Sequence, residues 1–369
     1  MSQSNTTGAI ITGWGKCLPP AVLANHDLEQ LTDTSDEWIT TRTGIKERRI
    51  SHVEVSDMAR VAGLHALAAA GKSPLDLDLI ILATCTGDSI IPSTAALLQA
   101  KLGAFKAAAF DLNAACTGFV YSLVTADSLI RAGVYRTVLV VGAEKLHYHL
   151  DFTDRSTAVL FGDAAGAVVI EASDEPGGIL ASELGMDGSV AEILHTPKDG
   201  TEGDRRPRLP AECGIRMDGP EVFRRAVTTM GEASARVVEA AGLDLGDIDL
   251  LVPHQANVRI IDATARRLGL DPGKVFINIA SYGNTSAATI PVALTEALEE
   301  GRIPPGGHVV LAAFGAGLTW GAAVIQWGKR TEPLGQSDAA LPPSDRSARE
   351  LLQPNLDFFG TGIRPQPAS

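Results

Sequence analysis

Cysteine is scarce in this 369-residue chain: Cys17, Cys85, Cys116 and Cys213 lie far apart and none falls in C-x-x-C spacing. Neither a structural zinc site nor a disulfide framework is therefore signalled. Basic residues are also in the minority, 31 Lys and Arg against 44 Asp and Glu, for a formal net charge of -13. Such a surface repels nucleic acid and anionic membranes, so neither is expected as a partner. No uninterrupted apolar run approaches membrane-spanning length, and Met1 to Gly8 lacks the basic-then-apolar pattern of a secretory signal. A cytoplasmic location is the expectation.

What is present is globular. Hydrophobic residues make up 45% and charged residues 20%, which argues against global disorder and against a coiled coil. At this length, two domains or one large double-layered fold are expected. A duplication sets the division. Ala69-Ala70-Gly71 followed by the apolar strand from Asp78 recurs as Ala240-Ala241-Gly242 followed by the strand from Asp249. The strand beginning at Thr137 likewise recurs at His308, and all three pairs (69 and 240, 78 and 249, 137 and 308) are 171 positions apart. Apolar strands match one another anywhere, but they do not hold one offset by accident. The expected architecture is α/β, two copies of one unit with mostly parallel, doubly covered strands, residues 1–172 and 173–330. Lys198 to Pro210 reads as a surface loop. Residues 331–369, rich in Pro, Ser, Ala and Gln, read as a flexible tail in which Ala348 to Phe359 could form a transient helix.

Paired α/β units place reactive groups where strand ends converge. Cys116 follows the strand Phe110 to Leu112 and opens a helix, where unpaired backbone N–H groups and the helix dipole favour a thiolate. In the second half His254 follows Leu250 to Val252, and Asn284 precedes a helix from Ala287. Taken singly, these are a buried cysteine, a histidine bonded to a carbonyl and a turn asparagine. Taken together, a thiol, an imidazole and an amide at equivalent junctions make one candidate site. Cys85, at the end of an apolar strand, reads as packing.

The segments Asp111 to Phe119, Val252 to Asn257 and Gly283 to Ala288 resemble the three active-site motifs of the β-ketoacyl-acyl-carrier-protein synthase III family, condensing enzymes of the thiolase fold. Ser35 to Ile45, Phe161 to Gly166 and Phe314 to Gly321 are similar to the same family, and the likeness runs from about Gly8 to Lys329. It implies a layered αβαβα core and a homodimer. It also implies an activity: a short acyl-CoA acylates Cys116, and the acyl group then condenses with malonyl-acyl carrier protein, initiating fatty acid synthesis. A thiolate suits the first step because it forms a thioester of similar energy to the one it attacks. His254 and Asn284 would steady the enolate left by decarboxylation, and the backbone N–H groups of Cys116 and Ala316 would form the oxyanion hole.

By the same resemblance Trp38 and Arg155 sandwich the adenine of coenzyme A, Arg42 lies near its phosphates, and Gly219 and Asn257 line the pantetheine tunnel. Arg259, Arg266 and Arg267, on one helix face, resemble a docking patch for the acidic carrier protein. Ile91 stands where acetyl-selective relatives often carry Phe, and is expected to shape the acyl pocket across the dimer interface. No permanently bound cofactor is implied, and although His147, His149 and Asp151 could hold a metal by spacing, the reaction needs none. The competing expectations are a related acyltransferase or ketosynthase of a specialised pathway, using acyl-Cys116 with another acceptor, a papain-like cysteine hydrolase, and a non-catalytic partner subunit.

Overall fold

A computed structural model describes residues 8–197, 210 and 213–361. The first half carries strands β1 (Gly8–Cys17), β2 (Ala21–Ala24), β3 (Glu47–Ile50), β4 (Leu79–Ala83), β5 (Ala108–Leu112), β6 (Thr137–Lys145) and β7 (Asp163–Ser173). Its helices are α1 (Asn25–Leu28), α2 (Asp36–Thr43), α3 (Val55–Ala70), α4 (Thr94–Leu102), α5 (Gly118–Arg131) and α6 (Arg155–Ala158). The second half has β8 (Gly178–Met186), β9 (Leu194–His195), β10 (Arg216–Met217), β11 (Leu250–Pro253), β12 (His308–Gly315) and β13 (Thr319–Gln326), with helices α7 (Gly219–Ala240), α8 (Val258–Leu268), α9 (Ile279–Tyr282) and α10 (Thr289–Glu299). A last helix, α11 (Ala348–Thr361), follows.

The main sheets run β1-β7-β6-β4-β5 and β11-β12-β13-β8. In β4 every residue of Leu-Ile-Ile-Leu-Ala is buried, because parallel neighbours β5 and β6 flank it and helices cover both faces. Phe119, Leu123 and Ile130 of α5 share one core with Ile290, Leu294 and Leu298 of α10 and with inner-face residues of both sheets. Helices α3 and α4 cover the outside of the first sheet, and α7 and α8 the outside of the second. The result is five layers, αβαβα, with two buried helices at the centre.

The 171-residue offset is visible in three dimensions: Leu79 and Leu250 open β4 and β11, Thr137 and His308 open β6 and β12, and Gly118 and Thr289 open α5 and α10. Each central helix is preceded by a 3-10 turn, Ala115–Thr117 and Ser286–Ala288. Among the described residues the non-glycine positions with positive φ are the first residues of these turns, Ala115 (47°) and Ser286 (49°). Left-handed backbone is strained for a residue with a Cβ, and such strain persists where surrounding packing fixes it. Both turns lie at the centre of the molecule, where the halves meet closely. A Cβ on Gly142 would come within 2.2 Å of Ala287 O.

The C-terminal stretch differs from the expectation of a flexible tail. Leu334 N–H donates to Ala69 O (3.0 Å), His65 Nε2 lies 2.9 Å from Ala339 O, and His52 Nε2 lies 2.8 Å from Pro342 O. Ala348, Leu351 and Leu352 of α11 are buried in a cluster with Leu23, Ile50 and Leu146. Sparse apolar anchors on a preformed surface order a segment whose own composition would not. Most of the expected surface loop Lys198 to Pro210 lies outside the described residues, as do residues 362–369.

Candidate active site

Cys116 enters from the first half on the turn between β5 and α5. Asn113 Oδ1 accepts from Ala115 N–H (3.2 Å), and Thr117 Oγ1 donates to Ala114 O (2.6 Å) and reaches Thr319 Oγ1 of the second half (2.9 Å). Gly315 permits this approach, since a Cβ there would lie 2.8 Å from Cys116 N. His254 stands at the end of β11, its N–H donating to Ala312 O (2.8 Å) and its Nδ1 2.7 Å from Thr289 Oγ1. Asn284 is held by Ser286 N–H, which donates to its Oδ1 at 2.8 Å, leaving Nδ2 as the donor end.

These three side chains line one cavity of about 1380 Å³, together with Ala316, Phe314 and Cys85. Its outer wall carries Trp38, Arg42, Gly219, Asn257 and Arg259. Asn257 caps α8 through its Oδ1, accepting from Arg259 N–H at 2.9 Å, and the Arg259 guanidinium lies 5.5 Å from the centre of the Phe223 ring. Arg266 is exposed and Arg267 donates to Glu232 (2.8 Å), so the three arginines are not equally available. Arg155 and Arg42 both sit on Trp38, at 5.2 and 5.0 Å from the ring centre. A base between Trp38 and Arg155 needs ~7 Å, two contact distances of about 3.5 Å, so this pair must part to admit one. Ile91 is 87% exposed and does not line its own chain's cavity.

Residues 110–188 match the family described as 3-oxoacyl-[acyl-carrier-protein (ACP)] synthase III, and residues 238–327 match its C-terminal part. The chain is 53% identical over 349 residues to beta-ketoacyl-[acyl-carrier-protein] synthase III 2 of Vibrio cholerae serotype O1, covering 95% of this chain and 96% of that one. It is 55% identical over 323 residues to beta-ketoacyl-[acyl-carrier-protein] synthase III of Symbiobacterium thermophilum, covering 86% and 98% respectively. The solved 3-oxoacyl-[acyl-carrier-protein] synthase III from Aquifex aeolicus VF5 superposes with a TM-score of 0.82 at 50% identity, over 87% of this chain and 100% of that one. The chain belongs to the 3-oxoacyl-[acyl-carrier-protein] synthase III family. Its fold is thiolase-like, and it is an acyltransferase-type condensing enzyme.

Electrostatics in the synthase differ from the expectation of a resting thiolate. Burial pushes the Cys116 thiol up to about 12, against the opposing pull of the Ser286 hydroxyl and of Cys116's own N–H, while Glu144 pushes it further up. The helix terminus is local and small; removal from water is the larger effect. Burial also lowers His254 to about 3, so its ring is neutral across the physiological range. Below its pKa a thiol gains thiolate about tenfold per pH unit. Iodoacetamide labelling of Cys116 in the free enzyme, read at the peptide level, should therefore climb steeply from pH 7 to 9; a plateau in that interval contradicts a thiol raised this far.

Four groups in or behind the cavity wall lay beyond the sequence-level assignment. Glu144 is fully buried and accepts from Ser286 Oγ (3.0 Å), Thr84 Oγ1 (3.2 Å), and the N–H (3.1 Å) and thiol (3.3 Å) of Cys85. Burial raises its carboxyl above the usual range. Cys85 is not packing as expected: it is exposed, and it lines the cavity. Its position just beyond the end of β4 was the available signal. Ser286 and Thr289 flank the Asn284 motif, and only their long-range partners reveal what they do. His147, considered for metal, instead pairs with Asp163 through Nδ1. Among the described residues no group of three or more His, Cys, Asp or Glu could hold a metal ion, and no helix is long and apolar enough to cross a membrane.

Proposed function

We propose that this synthase initiates fatty acid synthesis by moving a short acyl group from coenzyme A to Cys116 Sγ and condensing it with malonyl-acyl carrier protein. In the first step the Sγ–C bond forms and the bond to the coenzyme A sulfur breaks. The thiol proton leaves with the coenzyme A thiolate, the neutral His254 ring being available to pass it. The tetrahedral oxyanion takes the N–H groups of Cys116 and Ala316. In the second step the malonyl C–C bond breaks, carbon dioxide departs, and the electron pair rests on the thioester oxygen. Asn284 Nδ2 donates to that oxygen, and so does His254 Nε2 in the tautomer that carries the ring's proton there. The carbanion attacks the acyl carbon, Sγ leaves as thiolate and takes a proton from water, and a β-ketoacyl-carrier protein is released.

The observation that carries this is the meeting of Cys116, His254 and Asn284, drawn from both halves, on one cavity. Coenzyme A reaches it past Trp38, Arg155 and Arg42, along Gly219 and Asn257, and the carrier protein meets Arg259, Arg266 and Arg267 on α8. Intact-mass measurement of Cys116 after exposure to a panel of acyl-CoAs, followed by product analysis with malonyl-acyl carrier protein, tests both steps. Absence of any β-keto product sinks the proposal.

The working unit is a homodimer of the cytoplasm. β5 is the edge of its sheet, and near it Phe105 is 73%, Ile90 89% and Phe110 38% exposed. An apolar strand edge of this kind calls for a partner, and pairing two β5 edges brings Ile91 toward the partner's acyl pocket. Sedimentation velocity should show a dimer, with Phe110→Glu shifting it to monomer and lowering activity; a monomeric wild type overturns the assignment.

A further inference from the structure

The stretch beyond Arg330 joins the pocket wall from behind. The apolar cluster that buries Ala348, Leu351 and Leu352 of α11 also contains Leu146, Val159 and Phe161, whose other sides line the substrate cavity. Asn355 is 5% exposed, and the two hydrogens of its Nδ2 are shared among the carbonyls of His147, Tyr148 (3.2 Å) and Leu150 (3.3 Å). One side-chain amide thus gathers the carbonyls of the turn that presents Leu146 and His149 to the cavity. The next wall segment is tied to the same turn, Ile215 N–H donating to His149 O at 3.0 Å, and the Phe359 ring closes over Gly214, 3.4 Å from where its Cβ would stand. The relatives differ in how much of the chain they match. Each is covered almost completely, yet the Vibrio cholerae protein aligns over 349 residues and the Symbiobacterium thermophilum protein over 323, a difference that the segment beyond Arg330 is long enough to hold.

We propose that Asn355 is a positioning residue for acyl selectivity: by pinning the 146–150 turn it fixes the wall formed by Leu146 and His149, and so decides which acyl chains fit beside Cys116. Replacing it by Leu keeps the volume and removes the amide donors that hold this turn against α11, so the turn relaxes and the wall moves. The inference rests on acyl-CoA being the donor substrate.

The experiment compares rates of Cys116 acylation by acetyl-, butyryl- and hexanoyl-CoA, by intact mass, in the wild type, Asn355→Leu, Phe359→Ala and Leu352→Ala, alongside melting temperatures and the KM for malonyl-acyl carrier protein. In Asn355→Leu the ratio between best and worst donor should change at least about fivefold while the malonyl-carrier KM stays within twofold. Leu352→Ala loosens α11 without removing the amide, and should lower the melting temperature with a smaller change in the ratio. An unchanged ratio in Asn355→Leu overturns the proposal, and so does an equal change in Leu352→Ala at equal loss of melting temperature. If Asn355→Leu does not fold, Phe359→Ala decides in the same way through the Gly214 side of the wall. A wild type acylated by none of the three donors would instead remove the donor assignment itself, which separates the two failures.

Discussion

Cys116→Ala is expected to abolish condensation, lowering kcat by about 10⁴-fold or more, the scale seen when a covalent nucleophile is removed. No mass increase should then follow exposure to acyl-CoA. The same variant should still release carbon dioxide from malonyl-acyl carrier protein, because the groups that would hold the enolate are positioned independently of the thiol. Ser286 N–H orients Asn284, and Thr289 Oγ1 orients His254. Neither bond involves Cys116. The unspent enolate would pick up a proton, giving an acetyl thioester on the carrier. Loss of decarboxylation together with condensation would contradict a division of labour between the two halves, and retained acylation in Cys116→Ala would move the nucleophile elsewhere, with Cys85 the first alternative because its thiol shares the cavity.

That division was legible in the sequence to an uneven degree. The repeat offset is a property of the chain itself, and two copies of one α/β unit followed from it, whereas the layered αβαβα packing of those copies was implied by the family resemblance. The same offset, carried further, would have paired Ala115 with Ser286 and identified the second turn as the mirror of the nucleophile's. What periodicity does not register is long-range partnership. Glu144 sits in an apolar strand as an isolated acid, and only the folded chain brings Ser286, Thr84 and Cys85 onto it. The Cys116 environment was misjudged for a related reason: a helix terminus is local and visible in sequence, whereas removal from solvent depends on both halves closing over the thiol. The C-terminal stretch read as flexible because Leu334, Leu341, Leu351 and Leu352 are too sparse to define an amphipathic element before a surface exists to receive them.

The donors in the second half should separate from the thiol by the step they affect. Asn284→Ala and His254→Ala are each expected to slow condensation by roughly 10²–10³-fold, the cost of one preorganised donor to a developing oxyanion. Asn284→Ala should leave Cys116 acylation within a few fold of wild type, because in the proposed mechanism the amide serves only the malonyl half of the reaction. Asn284→Asp sharpens the test. Ser286 N–H can still hold one carboxylate oxygen, so the geometry survives, but the other oxygen replaces a donor with an acceptor facing negative charge, and the loss should exceed that of Ala. Thr289→Val probes the remaining donor through its orientation, since the Thr289 hydroxyl, which donates to Ser286 O (3.0 Å), lies 2.7 Å from His254 Nδ1 and holds the ring in place. It should reduce condensation about tenfold, with Thr289→Ser restoring it. A pH profile gives an independent check. With burial holding His254 to about 3, this ring gains its proton only far below neutrality, so condensation from preformed acyl-enzyme should show no fall from pH 8 to 5.5. A group with its ordinary value near 6.5 would lose most of its neutral form across that interval. A limb centred there, absent in His254→Ala, would mean that the imidazole is charged in the working enzyme and that the enolate is met by a cation.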